Sequence, residues 1–177
     1  MKNVDPSLVH RLFYPSVPAL LCAAAGGRAA AMPVVSYLSI SSDPPLLGVA
    51  CATSSFTMKM ATTSKSFTLC FMDRRYVGKV AALAVKSGRY VTDKIAAAGL
   101  SHRPGRSVKA PVISEAMAVI ECTLDSRRRF GDHWLLVGRV RAVYASTDFR
   151  DYWRFEDYRP ILYTGWAGGM KTFPTDH

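Results

Sequence analysis

The sequence predicts a mainly β protein, a barrel that carries helical insertions. Three observations point to it. Apolar runs of strand length recur between Gly, Pro and Asp turn signals, helical spacing is confined to short segments, and strands do not alternate with helices as a doubly wound parallel sheet requires. At 177 residues, 49% hydrophobic and 20% charged, the chain reads as one domain over 1–177 with a single core. The barrel core is expected over about 15–145, with an aromatic tail from about 148 onward.

Val17 to Ala25 and Ala29 to Ile40 read as neighbouring strands joined by the tight turn Gly26-Gly27-Arg28. Asp43-Pro44-Pro45 forces a turn or extended chain, and Leu46 to Ala52 is the next strand. The hydroxyls of Thr53, Ser54 and Ser55 then suit a helix cap, ahead of a short helix or turn from Phe56 to Thr63. Ser66 to Met72 returns to strand character. Val77, Val80, Ala81, Ala84 and Val85 give Val77 to Lys86 the spacing of an amphipathic helix. Asp93 to Ala98 is a second short helix stopped by Gly99, and His102 to Gly105 is a loop. Ala116 to Leu124 and His133 to Tyr144 are strands, with Arg127 to Asp132 as a polar hairpin loop between them. The tail from Asp148 to His177 carries Tyr152, Trp153, Phe155, Tyr158, Tyr163 and Trp166, the composition of a docking arm or a lid.

Twenty-three Lys and Arg against thirteen Asp and Glu leave a formal charge of +10. That surplus favours anionic partners: nucleic acid, acidic lipid or phosphorylated small molecules. Cys22, Cys51, Cys70 and Cys122 lie far apart in apolar stretches without a Cys-x-x-Cys pair, so they read as buried reduced thiols and the expected site is cytoplasmic. Lys2 and Arg11 ahead of the apolar run Val17 to Ala25 imitate a secretory leader, but Asp5, Pro15 and Pro18 argue against one. No apolar run reaches the length of a membrane span, so no membrane partner is expected.

The common nucleotide, dinucleotide, zinc-protease and serine-hydrolase signatures are unmet. Weaker constellations remain. Thr53-Ser54-Ser55-Phe56-Thr57, with Lys59 and Lys65 nearby, gathers hydroxyls and helix-start amides that suit a phosphate, although simple capping uses the same residues. Ser87-Gly88-Arg89 with Asp93-Lys94 offers a close backbone approach and a guanidinium fork, or ordinary solvated surface. Gly131-Asp132-His133 puts an imidazole at the mouth of a strong strand, where it can hydrogen-bond a redox ring or do nothing. The other histidines share no helix face, which argues against a histidine-built metal site. Arg127-Arg128-Arg129 reads as a solvated tip, and without a nucleic-acid motif that partner is not favoured.

Several stretches in order resemble the flavin reductase-like family of FMN-binding split-barrel proteins. They are Ser36-Tyr37-Leu38-Ser39-Ile40-Ser41-Ser42-Asp43-Pro44-Pro45-Leu46-Leu47-Gly48-Val49, Ser87-Gly88-Arg89 with Asp93-Lys94, and Ala98-Gly99-Leu100. Val108 to Glu115, Ile120-Glu121-Cys122 and Gly131 to Val140 continue the set, with a weaker match in Pro160 to Gly169.

The resemblance implies a Greek-key split β-barrel with helical insertions, built as a homodimer with FMN near the subunit interface. It makes Val17 to Ala25 the first barrel strand. Met32, Pro33, Val34, Val35 and Ser36 are implied to line the isoalloxazine, with Ser39, Ser41, Cys51, Ala52 and Thr53 beside it. Ser54, Ser55 and Thr57 fall where relatives hold the phosphate, with Arg89 and Lys94 as charged helpers, and His133 matches the histidine near the nicotinamide. The implied activity is hydride transfer from NADH or NADPH to flavin, with onward reduction of an unidentified acceptor or release of reduced flavin. An electron-transfer FMN protein of flavoredoxin type is the alternative, and a basic nucleic-acid-binding barrel a more distant one. Departures from the family pattern are Pro33-Val34-Val35 where relatives carry Thr-Ala, Cys70 in place of Asn, and Gly168-Gly169-Met170 in the tail.

Overall fold

The computed structural model describes residues 1–85, 87–165 and 170–172. Lys86, Trp166, Gly168, Gly169 and the end of the tail at His177, all named above, lie outside the described residues.

Strands β1 (Ala19–Ala25), β2 (Arg28–Val34), β3 (Tyr37–Ser42) and β4 (Pro45–Ala52) precede helix α1 (Phe56–Ser64) and strand β5 (Ser66–Phe71). Helix α2 (Val77–Val85) follows, then β6 (His102–Pro104), β7 (Pro111–Ile113), β8 (Ala118–Phe130), β9 (His133–Ala145), β10 (Ile161–Tyr163) and β11 (Met170–Thr172). Seven strands form one antiparallel sheet in the order β2-β1-β5-β8-β9-β4-β3.

That order forces curvature. The outermost strands, β2 and β3, are neighbours in the chain, separated only by Val35 and Ser36. Laid flat, seven strands would hold their edges about 29 Å apart, whereas two intervening residues reach roughly 11 Å. The sheet therefore curls until its edges meet, and the main-chain bond from Ala50 N–H to Ser36 O (2.8 Å) stitches the seam. Beyond that stitch, no ladder joins β2 to β4, and the barrel is split there.

The continuous apolar run of β1 reflects burial on both faces, and β5 is buried on both faces too, its Thr68 hydroxyl donating to Pro111 O (2.6 Å). Inside the barrel, Leu21, Phe67, Leu69, Val49 and Leu136 pack with Met58, Met60 and Ala61 of α1, which plugs one end. On the outer face, Leu20, Cys22 and Cys70 pack under Val80 and Leu83 of α2, with Ile95, Leu100 and Val112 completing a second cluster. Gly138 keeps the barrel closed on itself, because a Cβ there would stand 2.5 Å from Phe67 and 2.9 Å from Cys122. All four cysteines are buried free thiols. Among the described residues no helix is long and apolar enough to cross a membrane.

Three expectations are corrected. The run Ala29 to Ile40 is not one strand: the chain leaves β1 after Val34 and pairs with β4 from Tyr37, a crossing set by barrel closure rather than by a local breaker. His102 to Pro104 is a short strand paired with β7, not loop. Arg127 to Phe130 continues β8, because Arg127 stacks over Trp134 (4.7 Å) and Arg128 over Phe130 (5.2 Å), leaving only Gly131-Asp132 as the turn. The segment Pro6–Phe13, unassigned from sequence, is a 3-10 helix whose start is capped by the Asp5 carboxylate accepting from Ser7 N–H (2.8 Å). In the tail, Trp153 packs against Tyr158 (4.4 Å), and the Asp148 carboxylate accepts the N–H groups of Glu156 and Tyr158.

Candidate functional site

The split leaves a groove of about 750 Å³ between β2 and β4. Met32, Pro33, Val34, Val35 and Ser36 form one wall, Ala50, Cys51 and Ala52 the other, and Ser55 and His133 stand at one end. Pro33 is tolerated because β2 is an edge strand. Burial pushes the Cys51 thiol up to about 12, so that wall stays neutral at physiological pH.

His133 opposes Ala52 in the β4/β9 ladder, which fixes the imidazole at the groove mouth. Its Nδ1 lies 2.8 Å from Asp132 Oδ1. That hydrogen bond to His133 lowers the pKa of Asp132. An ionised carboxylate can only accept, so Nδ1 carries the proton and Nε2 is the nitrogen left for a ligand.

Helix α1 begins at the same end. The Thr53 N–H donates to Asp132 O (2.9 Å), tying the helix entry to the His133 turn. Ser55 is the N-cap: its hydroxyl accepts from Met58 N–H (3.1 Å) and meets Met32 Sδ at 3.0 Å, joining the helix to the groove wall. The remaining first-turn amides, Phe56 and Thr57, have no acceptor on the chain among the described residues. Arg89 reaches the same place from the loop after α2, donating from Nη2 to Ser54 O (3.1 Å).

Nine of the sequence-predicted residues therefore line the groove: Met32, Pro33, Val34, Val35, Ser36, Cys51, Ala52, Ser55 and His133. Thr53, Ser54, Thr57 and Arg89 gather at the adjoining start of α1. The structure does not bring Ser39 and Ser41 to the groove; they line a separate cavity of about 310 Å³ near Tyr37 and Phe71. Lys94 is also outside it, 5% exposed. Its N–H bonds Ala29 O (3.0 Å) and its ammonium is within Coulomb reach of Cys22 on the outer face of β1. Burial pushes its pKa down.

Sequence reasoning missed Ser7, His10, Tyr14, Ala50 and Asp132, which also line the groove. For the first three the signal was present: Asp5-Pro6-Ser7 is a helix start, with a capping carboxylate and Pro at the first turn. Tyr14 is held in place by an edge-to-face contact with Tyr163 (4.8 Å). A further cavity, about 470 Å³, lies under the tail at Phe149 and Trp153, and its walls are mostly apolar.

The family model described as the flavin reductase like domain matches residues 10–163. The chain belongs to that family. Membership places it among flavin-related oxidoreductases, and its mainly β split barrel agrees with the solved structures it resembles. An FMN-binding protein from Thermus thermophilus, with bound 1-cyclohex-2-enone, superimposes with a TM-score of 0.76 at 29% identity, over 93% of this chain and 89% of that one. Flavoredoxin from Methanosarcina acetivorans gives a TM-score of 0.85 at 22% identity, over 98% and 91%, a likeness of fold. An uncharacterized protein of Aeropyrum pernix is 34% identical over 166 residues, covering 93% of this flavin reductase-like chain, which spans 63% of that relative's length.

Proposed function

We propose that this chain binds FMN in the groove and acts as an NAD(P)H-dependent oxidoreductase of flavin reductase type. The observation that carries the proposal is the open donor set at the start of α1, beside a groove of ring-accommodating size whose β2 and β4 walls carry no charged side chain. Helix-start amides together with a guanidinium suit a dianionic phosphate, and the Phe56 and Thr57 amides, the Thr57 hydroxyl and Arg89 would hold it. Main-chain groups at the seam and the apolar side chains of Met32, Val34, Val35 and Ala50 would hold the ring.

The chemistry that a bound flavin supplies is hydride acceptance at N5 and onward delivery of electrons. The chain's own part is orientation and exclusion of water. His133, fixed by Asp132, presents Nε2 toward the groove, where it can accept from the carboxamide N–H of the nicotinamide donor.

A homodimer with the site near its interface fits the exposed apolar face around Gly48. Leu38 (55% exposed), Ile40 (45%) and Leu135 converge there, and Ala50 and Ala52 continue that face of β4 into the groove. Light scattering of the purified protein should give twice the chain mass.

The direct test is to add FMN with NADH or NADPH and follow the nicotinamide absorbance. Turnover is the expected result. A protein that binds FMN yet is reduced by neither nucleotide is instead an electron-transfer flavoprotein, and one that binds no flavin at all removes the proposal. His133→Ala should slow flavin reduction about tenfold while FMN affinity stays within twofold; equal loss of both would mark His133 as a binding residue.

A further inference from the structure

Arg28 opens β2, directly after the Gly26-Gly27 turn, and points at the loop that carries Arg89. Its Nη2 donates to the carbonyl oxygens of Gly88 (2.9 Å), Arg89 (2.9 Å) and Val91 (3.2 Å). The same guanidinium lies over the ring of Phe56, 5.5 Å from its centroid, and Phe56 is the first residue of α1. Gly88 rests against that ring through a bare Cα: a Cβ would stand 3.0 Å from Phe56 Cδ1 and 3.3 Å from Ala30 Cβ. One side chain thus fastens the loop to the helix start.

The loop has little else to hold it. Ser87, Arg89 and Tyr90 are exposed, and its other described bonds are the Arg89 N–H to Ser87 Oγ (3.3 Å), the Tyr90 N–H to Ser87 O (3.4 Å), the Ala29 N–H to Thr92 O (3.1 Å) and, at the end of a flexible side chain, the Arg89 Nη2 to Ser54 O (3.1 Å). Three carbonyl oxygens converging on one point repel one another unless a cation sits between them, so the loop path depends on Arg28. An arginine on a loose loop loses side-chain and backbone freedom when it grips an anion; one on a fastened loop has lost it beforehand.

We propose that Arg28 is a positioning residue that presents Arg89 to the phosphate at the start of α1, and so sets how strongly this chain prefers a phosphorylated flavin over an unphosphorylated one. The inference rests on the phosphate reading above and adds to it a residue that does not touch the ligand. Lys cannot substitute, because an ammonium lacks the plane that stacks on Phe56 while its edge meets the carbonyls.

The test is the ratio of riboflavin Kd to FMN Kd, read by quenching of flavin fluorescence, for the native protein, Arg28→Ala, Arg28→Lys, Arg89→Ala and the double Arg28→Ala/Arg89→Ala. Arg89→Ala should lower the ratio about tenfold or more, and Arg28→Ala about fivefold, with riboflavin affinity unchanged. The double variant should match Arg89→Ala alone, since Arg28 acts through Arg89. Arg28→Lys keeps the charge, so a ratio lowered there separates positioning from long-range attraction; it also serves where Arg28→Ala does not fold. A native ratio in both Arg28 variants, with Arg89→Ala still effective, overturns the positioning role alone, as does full additivity in the double variant. A native ratio in Arg89→Ala overturns the phosphate reading, and the role of Arg28 falls with it.

Discussion

Two places in this molecule gather main-chain amides into a small space, and they are finished differently. At the loop before β7, the N–H groups of Arg106, Ser107 and Val108 all donate to the carboxylate of Glu121, at 2.7, 2.6 and 3.1 Å, and the Tyr144 hydroxyl adds a fourth bond. At the start of α1, the Ser55 hydroxyl takes only the Met58 amide, and the Phe56 and Thr57 amides stay open beside Arg89. The first cluster is closed by an anion the chain brings with it. The second has no carboxylate of the chain against it among the described residues. Backbone donors of the same kind are thus structural in one place and available in the other, and the difference is whether a carboxylate of the chain is buried against them.

The contrast can be broken most severely at Glu121. It is fully buried, and Glu121→Ala orphans three amides and a phenol at once, an expected loss of about 3 kcal/mol or more. Urea unfolding would measure it, and the FMN to riboflavin preference of the folded fraction should be unchanged. A smaller effect, of opposite kind, is expected from Thr57→Ala at the open cluster: FMN affinity should fall about fivefold, close to 1 kcal/mol, in a fluorescence titration, with a much smaller shift of the urea midpoint than Glu121→Ala gives, since Thr57 is buried but closes no amide cluster.

Acid provides the gentlest probe. Burial opposes the charge on Glu121, but the bonds from Arg106, Ser107, Tyr144 and Val108 outweigh it and hold its pKa below the ordinary 4.5. The Asp73 and Asp148 carboxylates are lowered in the same way, against burial, by bonds from Arg75 and Arg159 and from Tyr158 and Glu156. A carboxyl whose folded pKa lies below its unfolded value contributes stability above the unfolded value and loses it as pH falls toward the folded one. Stability should therefore be insensitive to these groups between pH 7 and about pH 5, and decline below the ordinary carboxyl range. Glu121→Gln should flatten that decline.

How much of this was readable in the residues follows from which interactions are local. The apolar runs of β1, β4 and β5 announce themselves because both of their faces, or the barrel-facing one, are buried. Ser55 as a cap, Gly99 as a left-handed stop at φ 75 and Gly131 as a turn residue at φ 54 are likewise local chemistry. The break at Val35-Ser36 has no local signal, since neither residue is a breaker and the cause is the meeting of two distant sheet edges. The same holds for the misjudged end of β8: three consecutive arginines read as solvated loop, whereas their backbone continues the ladder to β9 as far as Phe130 opposite His133, with Arg127 over Trp134 and Arg128 over Phe130. At the site, the residues carried over from the family pattern on contiguous strands came together, whereas Ser39, Ser41 and Lys94 did not, because facing is decided by register and packing.

The unsealed seam between β2 and β4 has one more consequence. Most proteins make room for a guest by hollowing a core or by draping long loops, and either choice forfeits packing or order. Here the vacancy is opened in the pairing pattern of the sheet, so the interior remains densely filled by Phe67, Leu69 and Leu136 while main-chain groups along the opening are spared from mutual pairing. The side chains of Pro33, Val34 and Val35 could change along that opening without altering the peptide groups that line it.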